Sequence, residues 1–265
     1  MIGPPGSGKT LAAKRIPSIL PPLSEEERIQ CSKIHSVAGI LNAEEGLVRV
    51  RPFRSPHHTI SANGLVGGGT VPRPGEMSLA HNGVLFLDEL PEFSKKTLEV
   101  MRQPLEDRKV VISRVNGTYV FPTRVMLVCA MNPCRCGYYP DRNRCRCSER
   151  EVRQYLSRIS KPLLDRIDIL AEVPRFSLPF LENASPGETS ESMRAKVIKG
   201  WEIQKARYRG QGILFNSQLS GRDIRRYCAL GKTEQDLLAE VFDRMELSAR
   251  AHDRILKCAR TIAES

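Results

Sequence analysis

Apolar and polar positions along this chain fall into helical, alternating and unbroken patterns, and each predicts a kind of element. Residues 10–16 carry a helical pattern fed by a glycine-rich loop, and Pro17 is expected to stop it. Residues 24–42 open on a capping box, Ser24 with Glu27 three residues later, and Ile29, Ile34 and Val37 suit one face of a second helix. The unbroken run Val84-Leu85-Phe86-Leu87, ending in Asp88-Glu89, reads as a buried parallel strand that stops at a site. Residues 98–105 read as helical. Residues 110–115 and 118–121 flank Asn116-Gly117, the favoured two-residue turn, and predict a β-hairpin. Residues 125–130 predict another buried strand, ending at Met131-Asn132-Pro133.

Residues 64–75 hold so many glycines and prolines that they read as a mobile loop inserted in the domain. Beyond residue 174 the composition shifts. Residues 177–192 read as a linker, and from Met193 onward the pattern is helical, with Met193, Val197 and Trp201 four apart and further helices around Ile224, 237–245 and 249–262. Strands alternating with helices and then an all-helical tail predict an α/β core with a parallel sheet over 1–176, a linker over 177–192 and a helical subdomain over 193–265.

The 265 residues include 41 Lys+Arg against 30 Asp+Glu, a formal net charge of +11, with 40% apolar residues. Such a composition excludes disorder, collagen and coiled coil as descriptions of the whole chain. No apolar run is long enough to span a membrane and no secretory leader opens the chain, so a cytoplasmic protein is expected. Between residues 194 and 226 nine Lys or Arg face only Glu202 and Asp223, a balance that favours a polyanionic partner, nucleic acid first.

Gly3-Pro4-Pro5-Gly6-Ser7-Gly8-Lys9-Thr10 matches a complete phosphate-binding loop. Its glycines let backbone N–H groups, out to Leu11 in the first helical turn, wrap phosphate oxygens, Lys9 reaches the terminal phosphates and Thr10 offers a hydroxyl to Mg²⁺. Asp88 at the strand end holds the same Mg²⁺ through water, and Glu89 polarises an attacking water. ATP and Mg²⁺ are therefore the expected ligands. Such a loop normally leaves a buried strand, and only Met1-Ile2 precede it, so a piece of a longer chain is expected. Cys134, Cys136, Cys145 and Cys147 supply four thiols able to close a structural Zn²⁺ site, although Cys-x-Cys is tighter than the usual spacing and leaves free thiols or a disulfide as alternatives. Cys31, Cys129, Cys228 and Cys258 read as small buried hydrophobes. His57-His58, adjacent on a loop, does not form a metal pair.

The loop, the Leu-Phe-Leu-Asp-Glu strand, the stretches 54–59 and 74–83, and Pro162-Leu163-Leu164-Asp165-Arg166-Ile167-Asp168 together resemble the magnesium-chelatase-like AAA+ ATPases, and 248–251 with 259–263 resembles their competence-protein branch. The resemblance implies an AAA+ core with a helical lid and a ring of subunits, expected to be a hexamer. It implies that Asn132 orients the lytic water, that Arg166 is an arginine finger reaching a neighbour's γ-phosphate, and that Arg250, with Arg254 second, is a sensor on the lid. It also implies a domain ahead of the ATPase. The hairpin and the glycine-rich insert resemble pore elements that grip DNA, with Arg73, Arg114 and Asn116 as contacts. Without interleaved aromatics, contact with single-stranded or branched DNA would run mainly through the backbone. The function so implied is an ATP-driven DNA branch-migration motor. The alternatives are a chelatase-type ATPase remodelling a partner protein, and a module that only binds nucleotide.

Overall fold

The computed structural model of the chain describes residues 1–42, 44, 46–115, 117–175 and 187–264, which fall in two compact units, Met1–Gly187 and Glu188–Ser265. The first holds α1 (Lys9–Ile19), α2 (Glu25–Ala38), β1 (Phe53–Arg54), α3 (Ala62–Val66), β2 (Gly67–Gly68), β3 (Arg73–Pro74), α4 (Glu76–Leu79), β4 (Val84–Leu87), α5 (Lys95–Glu99), α6 (Arg102–Asp107), β5 (Lys109–Arg114), β6 (Gly117–Pro122), β7 (Met126–Cys129), α7 (Glu149–Leu156) and α8 (Lys161–Leu164).

The central sheet is parallel, in the order β1-β4-β7, with Phe53 opposite Val84 and Leu85 opposite Leu127. β4 is apolar at every position because both of its faces are covered. Leu85 and Leu87 enter a core with Leu65, Met77, Leu98, Met101 and Leu163, whereas Phe86 packs with Ala13 of α1 and Ala130. Burial of each of these larger side chains contributes roughly 1.5–3 kcal/mol. Beyond β7, Ile2 forms parallel bridges to both Met131 and Glu172. The Met1 nitrogen donates to Cys129 O at 2.7 Å and Val173 N donates to Ile2 O at 2.8 Å, so even two residues root the phosphate loop inside the sheet.

Several local expectations change. α1 runs through Pro17 to Ile19, and the chain leaves the helix only at Leu20, ahead of Pro21-Pro22. The capping box of α2 is present, but its buried face carries Glu27, Cys31, Ser32 and Ile34, while Ile29 and Val37 are exposed. Residues 64–75 are structured, because β2 and β3 pair antiparallel. Their glycines serve close approach: a Cβ on Gly75 would lie 2.3 Å from Gly67 N. Residues 98–105 span two short helices, α5 and α6. The hairpin β5–β6 forms with Arg114 opposite Gly117, so Gly117 is a strand residue and the reversal comes one position earlier than Asn-Gly predicts. Asn116 itself lies outside the described residues, as do 177–186 of the expected linker.

Segments 54–59 and 74–83 act as joints. Arg54 makes a two-pronged ion pair with Glu76 at 2.6 and 2.7 Å. His81 is 2% exposed, accepts from Arg124 N and contacts Gln30 Oε1, and burial lowers its pKa from 6.5 to about 4. The native state therefore binds fewer protons than the unfolded chain between those values, and its stability falls as pH drops through that window. Urea unfolding is expected to lose about 2 kcal/mol between about pH 7 and pH 5 from this residue. A His81→Gln variant with the same pH slope would contradict the assignment.

The second unit is helical: α9 (Ser190–Arg207), α10 (Gly221–Tyr227), α11 (Lys232–Arg244) and α12 (Ala249–Ile262). α9 begins three residues before Met193. Its buried stripe is Gly200, Gln204 and the following Tyr208, while Met193 is exposed. Tyr208 OH donates to Asn216 Oδ1 at 2.6 Å, Asn216 Nδ2 donates to Glu264 Oε2 at 3.0 Å, and Arg207 pairs with Glu264 at 2.5 Å. A buried polar network thus holds a helix that apolar spacing placed on a different face. Cys31 and Cys228 are buried, whereas Cys129 and Cys258 are only partly so.

Candidate nucleotide site

The loop from Gly3 to Gly8 turns at Gly6 (φ 75°) and Gly8 (φ 84°), conformations that suit glycine, and Gly8 caps the start of α1. Gly3 is needed for another reason, since a Cβ there would sit 2.2 Å from Val173 O. Lys9 is 8% exposed and its Nζ donates to Gly3 O and Pro4 O, both at 2.8 Å, with Ser7 Oγ at 3.4 Å and Asn132 Oδ1 at 3.3 Å. Burial lowers the Lys9 pKa, and Asp88 opposes that shift. The ammonium therefore sits at the centre of the loop with acceptors that phosphate oxygens can replace.

Thr10 Oγ1 donates to Asp88 Oδ2 at 2.6 Å, while Asp88 Oδ1 accepts from Glu89 N at 2.9 Å. A hydroxyl and a carboxylate oxygen this close, at the end of a parallel strand and the start of a helix, fit the donor set for a hard cation such as Mg²⁺. Glu89 has φ 51°, a left-handed conformation that is uncommon outside glycine, and its carboxylate is exposed. Asn132 follows β7 at the same edge. Lys9, Thr10, Asp88, Glu89 and Asn132 thus converge, although they are spread over 124 positions of the chain.

Two features of the site had no assigned role in the sequence. His58 Nδ1 lies 3.3 Å from Glu89 Oε2, and its ring stacks on His57 with centroids 4.1 Å apart. His58 therefore orients the exposed carboxylate, a role that adjacent histidines on a loop do not signal. Gly137 is the second: the cysteine-rich segment packs it directly against Pro5 of the phosphate loop.

The remaining predicted residues lie elsewhere. Arg166, 17% exposed, donates to Pro162 O and to Glu106 Oε2, each at 2.5 Å, in a setting separate from Lys9. Arg250 and Arg254 stand on α12 in the second unit. Arg73 is exposed on β3, and Arg114 Nε donates to Gly69 O at 3.3 Å, so the glycine-rich insert and the hairpin β5–β6 form one composite edge. Val115 at its turn is fully exposed. No helix among the described residues is long and apolar enough to cross a membrane.

Cys134, Cys136, Cys145 and Cys147 bring four sulfurs within 4.8 Å of one another, with Cys134 and Cys145 buried. The Tyr138 N–H helps lower the Cys136 thiol to about 6. Arg142 and Arg144 lie over the rings of Tyr139 and Tyr138 beside the cluster.

Residues 1–179 match the family model described as magnesium chelatase, subunit ChlI, and residues 187–264 match the model of its C-terminal region. The chain belongs to the magnesium chelatase ChlI family of AAA+ proteins. It is 45% identical over 267 aligned residues to the Uncharacterized protein YifB of Salmonella typhimurium, covering 100% of this chain and 51% of that protein. It is likewise 45% identical over 265 residues to the Competence protein ComM of Haemophilus influenzae, covering 99% of this chain and 51% of ComM. The Uncharacterized protein YifB of Escherichia coli is 43% identical over 267 residues, covering 100% of this chain and 51% of that protein. The chain spans about half the length of these relatives.

Proposed function

We propose that this member of the ChlI family is the ATP-hydrolysing part of a ring-shaped DNA motor acting on single-stranded or branched DNA. The observation that carries the ATPase reading is the convergence of Lys9, the Thr10–Asp88 pair, Glu89 and Asn132 on one loop. In this reading backbone N–H groups from Gly6 to Leu11 bind the phosphates of ATP. The Lys9 ammonium exchanges the Gly3 and Pro4 carbonyls for β- and γ-phosphate oxygens. Thr10 and Asp88 hold Mg²⁺, which offsets phosphate charge. Glu89, steadied by His58, takes the proton of the attacking water while Asn132 orients it, and Arg166 and Arg250 complete the site from a neighbouring subunit and the lid. The four cysteines form a structural zinc site. The helical unit beginning near residue 188 serves as the lid.

For DNA the support is the +11 charge, the exposed arginines of the composite edge, and the likeness to a protein named for competence. ATP hydrolysis is expected to rise with single-stranded or forked DNA at low salt, and DNA affinity to fall steeply as salt is raised. Arg114→Ala is expected to flatten the salt dependence by roughly 0.7 in log–log slope for each phosphate that the arginine neutralises. An unchanged slope removes Arg114 from the interface. Membership of a family described as magnesium chelatase, subunit ChlI, leaves a second reading open, an ATPase that remodels a partner protein. An ATPase rate indifferent to DNA, at low salt and with wild-type nucleotide affinity, selects it.

A further inference from the structure

The cysteine cluster lies against the phosphate loop, a placement that no spacing rule demands. Its sulfurs stand 3.4 Å apart for Cys134 and Cys136, 3.7 Å for Cys134 and Cys145, and 3.6 Å for Cys136 and Cys145. Tetrahedral Zn–S bonds of about 2.3 Å give edges of about 3.8 Å, whereas a disulfide needs about 2.05 Å. Tyr139 N donates to Cys134 Sγ at 3.4 Å, the kind of outer contact that orients a thiolate ligand.

Three links run from this segment to the loop. Gly3 N donates to Met131 O at 3.2 Å, Lys9 Nζ reaches Asn132 Oδ1 at 3.3 Å, and Gly137, at φ 87°, is pressed against Pro5. A Cβ at Gly137 would lie 2.5 Å from Pro5 Cδ and 3.1 Å from Pro5 Cγ. The first cysteine ligand comes two residues after Asn132, and Gly137 one residue after the second. The thiolates are therefore only a few covalent bonds from residues that touch the loop.

We propose that Cys134, Cys136, Cys145 and Cys147 bind one Zn²⁺ and that this ion, acting through Gly137 on Pro5 and through Asn132 on Lys9, holds the phosphate loop in its nucleotide-binding shape. The inference rests on the ATP and zinc readings above and adds a positioning role for the metal. Binding exchanges thiol protons for the ion and leaves a doubly negative centre, beside which Arg142 donates to Cys147 O at 2.8 Å while pairing with Glu149.

The test uses the whole chain purified without chelator. Zinc is counted per chain by elemental analysis, and affinity for a fluorescent ADP analogue is titrated before zinc removal, after it, and after zinc is returned. The expected result is one zinc per chain and a roughly 10- to 100-fold loss of nucleotide affinity on removal, restored by zinc. Gly137→Ala tests the link with all four ligands in place, and it is expected to keep its zinc yet bind the analogue more weakly. Absence of zinc overturns the proposal, as does affinity unchanged both by removal and by Gly137→Ala. A zinc-loaded chain that binds no analogue overturns the ATP reading itself and this proposal with it, an outcome distinct from intact binding that ignores zinc.

Discussion

Lys9→Ala is expected to abolish DNA-stimulated ATP hydrolysis, with kcat down by roughly 10²- to 10³-fold, as when one preorganised donor to a developing charge is removed. Its ammonium is the one charge among the described residues that is held at the centre of the loop, in contact with Gly3, Pro4, Ser7 and Asn132. No other described side chain is shown reaching those acceptors, so nothing nearby can replace it. The substitution also leaves two carbonyls without their donor, and thermal unfolding measured beside the rate separates loss of chemistry from loss of fold. α1 is capped by Gly8 and anchored by Ala13 in the core, neither of which involves Nζ, so the helix is expected to persist. Hydrolysis within a few-fold of the unsubstituted chain would move the chemistry away from this loop.

Arg166→Ala is expected to cost about 10³-fold or more in kcat with little change in nucleotide affinity, the signature of a residue that acts only as charge develops on the transferred phosphoryl group. The described contacts of Arg166 are to Pro162 and Glu106, so in the proposed role it reaches a phosphate on another subunit and exchanges the Glu106 carboxylate for it. Mixing decides this. Arg166→Ala and Glu89→Gln subunits are each expected to be inactive alone, and an equal mixture is expected to recover roughly a quarter of the full rate, from junctions where an intact Glu89 faces an intact Arg166. Glu106→Ala frees the guanidinium without removing it and is expected to retain activity. An inactive mixture together with an inactive Glu106→Ala would make the arginine structural.

β4, β7 and the β5–β6 hairpin were legible because each rests on a local pattern, whereas β1, β2 and β3 were not predicted. β4 has to be apolar at every position when helices cover both faces of its sheet, and an Asp-Glu pair directly after such a run marks the strand end that meets the loop. The loop is similarly plain, since left-handed turns and the close approach of Gly3 to Val173 O admit little besides glycine. Composition misled at residues 64–75, where many glycines signal freedom when read alone but here allow two backbones to approach within the contact distance of a Cβ. Apolar spacing told only part of the story on α2 and α9: Ile34 is buried, but so are Glu27 and Ser32, and α9 buries Gly200 and Gln204. Hydrogen-bonded polar side chains can be buried as stably as apolar ones, and no periodicity records which partner will satisfy them.

Residue identity and spacing along the chain were enough to determine the phosphate-loop motif, the α/β core followed by helices, the family, and the four thiols. Those features depend on neighbours within a few positions, where the geometry of a loop or strand restricts the choice of residue. Three juxtapositions were decided by tertiary structure alone: His58 beside Glu89, the hairpin beside the glycine-rich insert, and Gly137 beside Pro5. Each joins segments separated by 31 to 132 positions. A contact of that kind depends on how elements pack across the sheet, and it leaves no repeat or spacing in either segment.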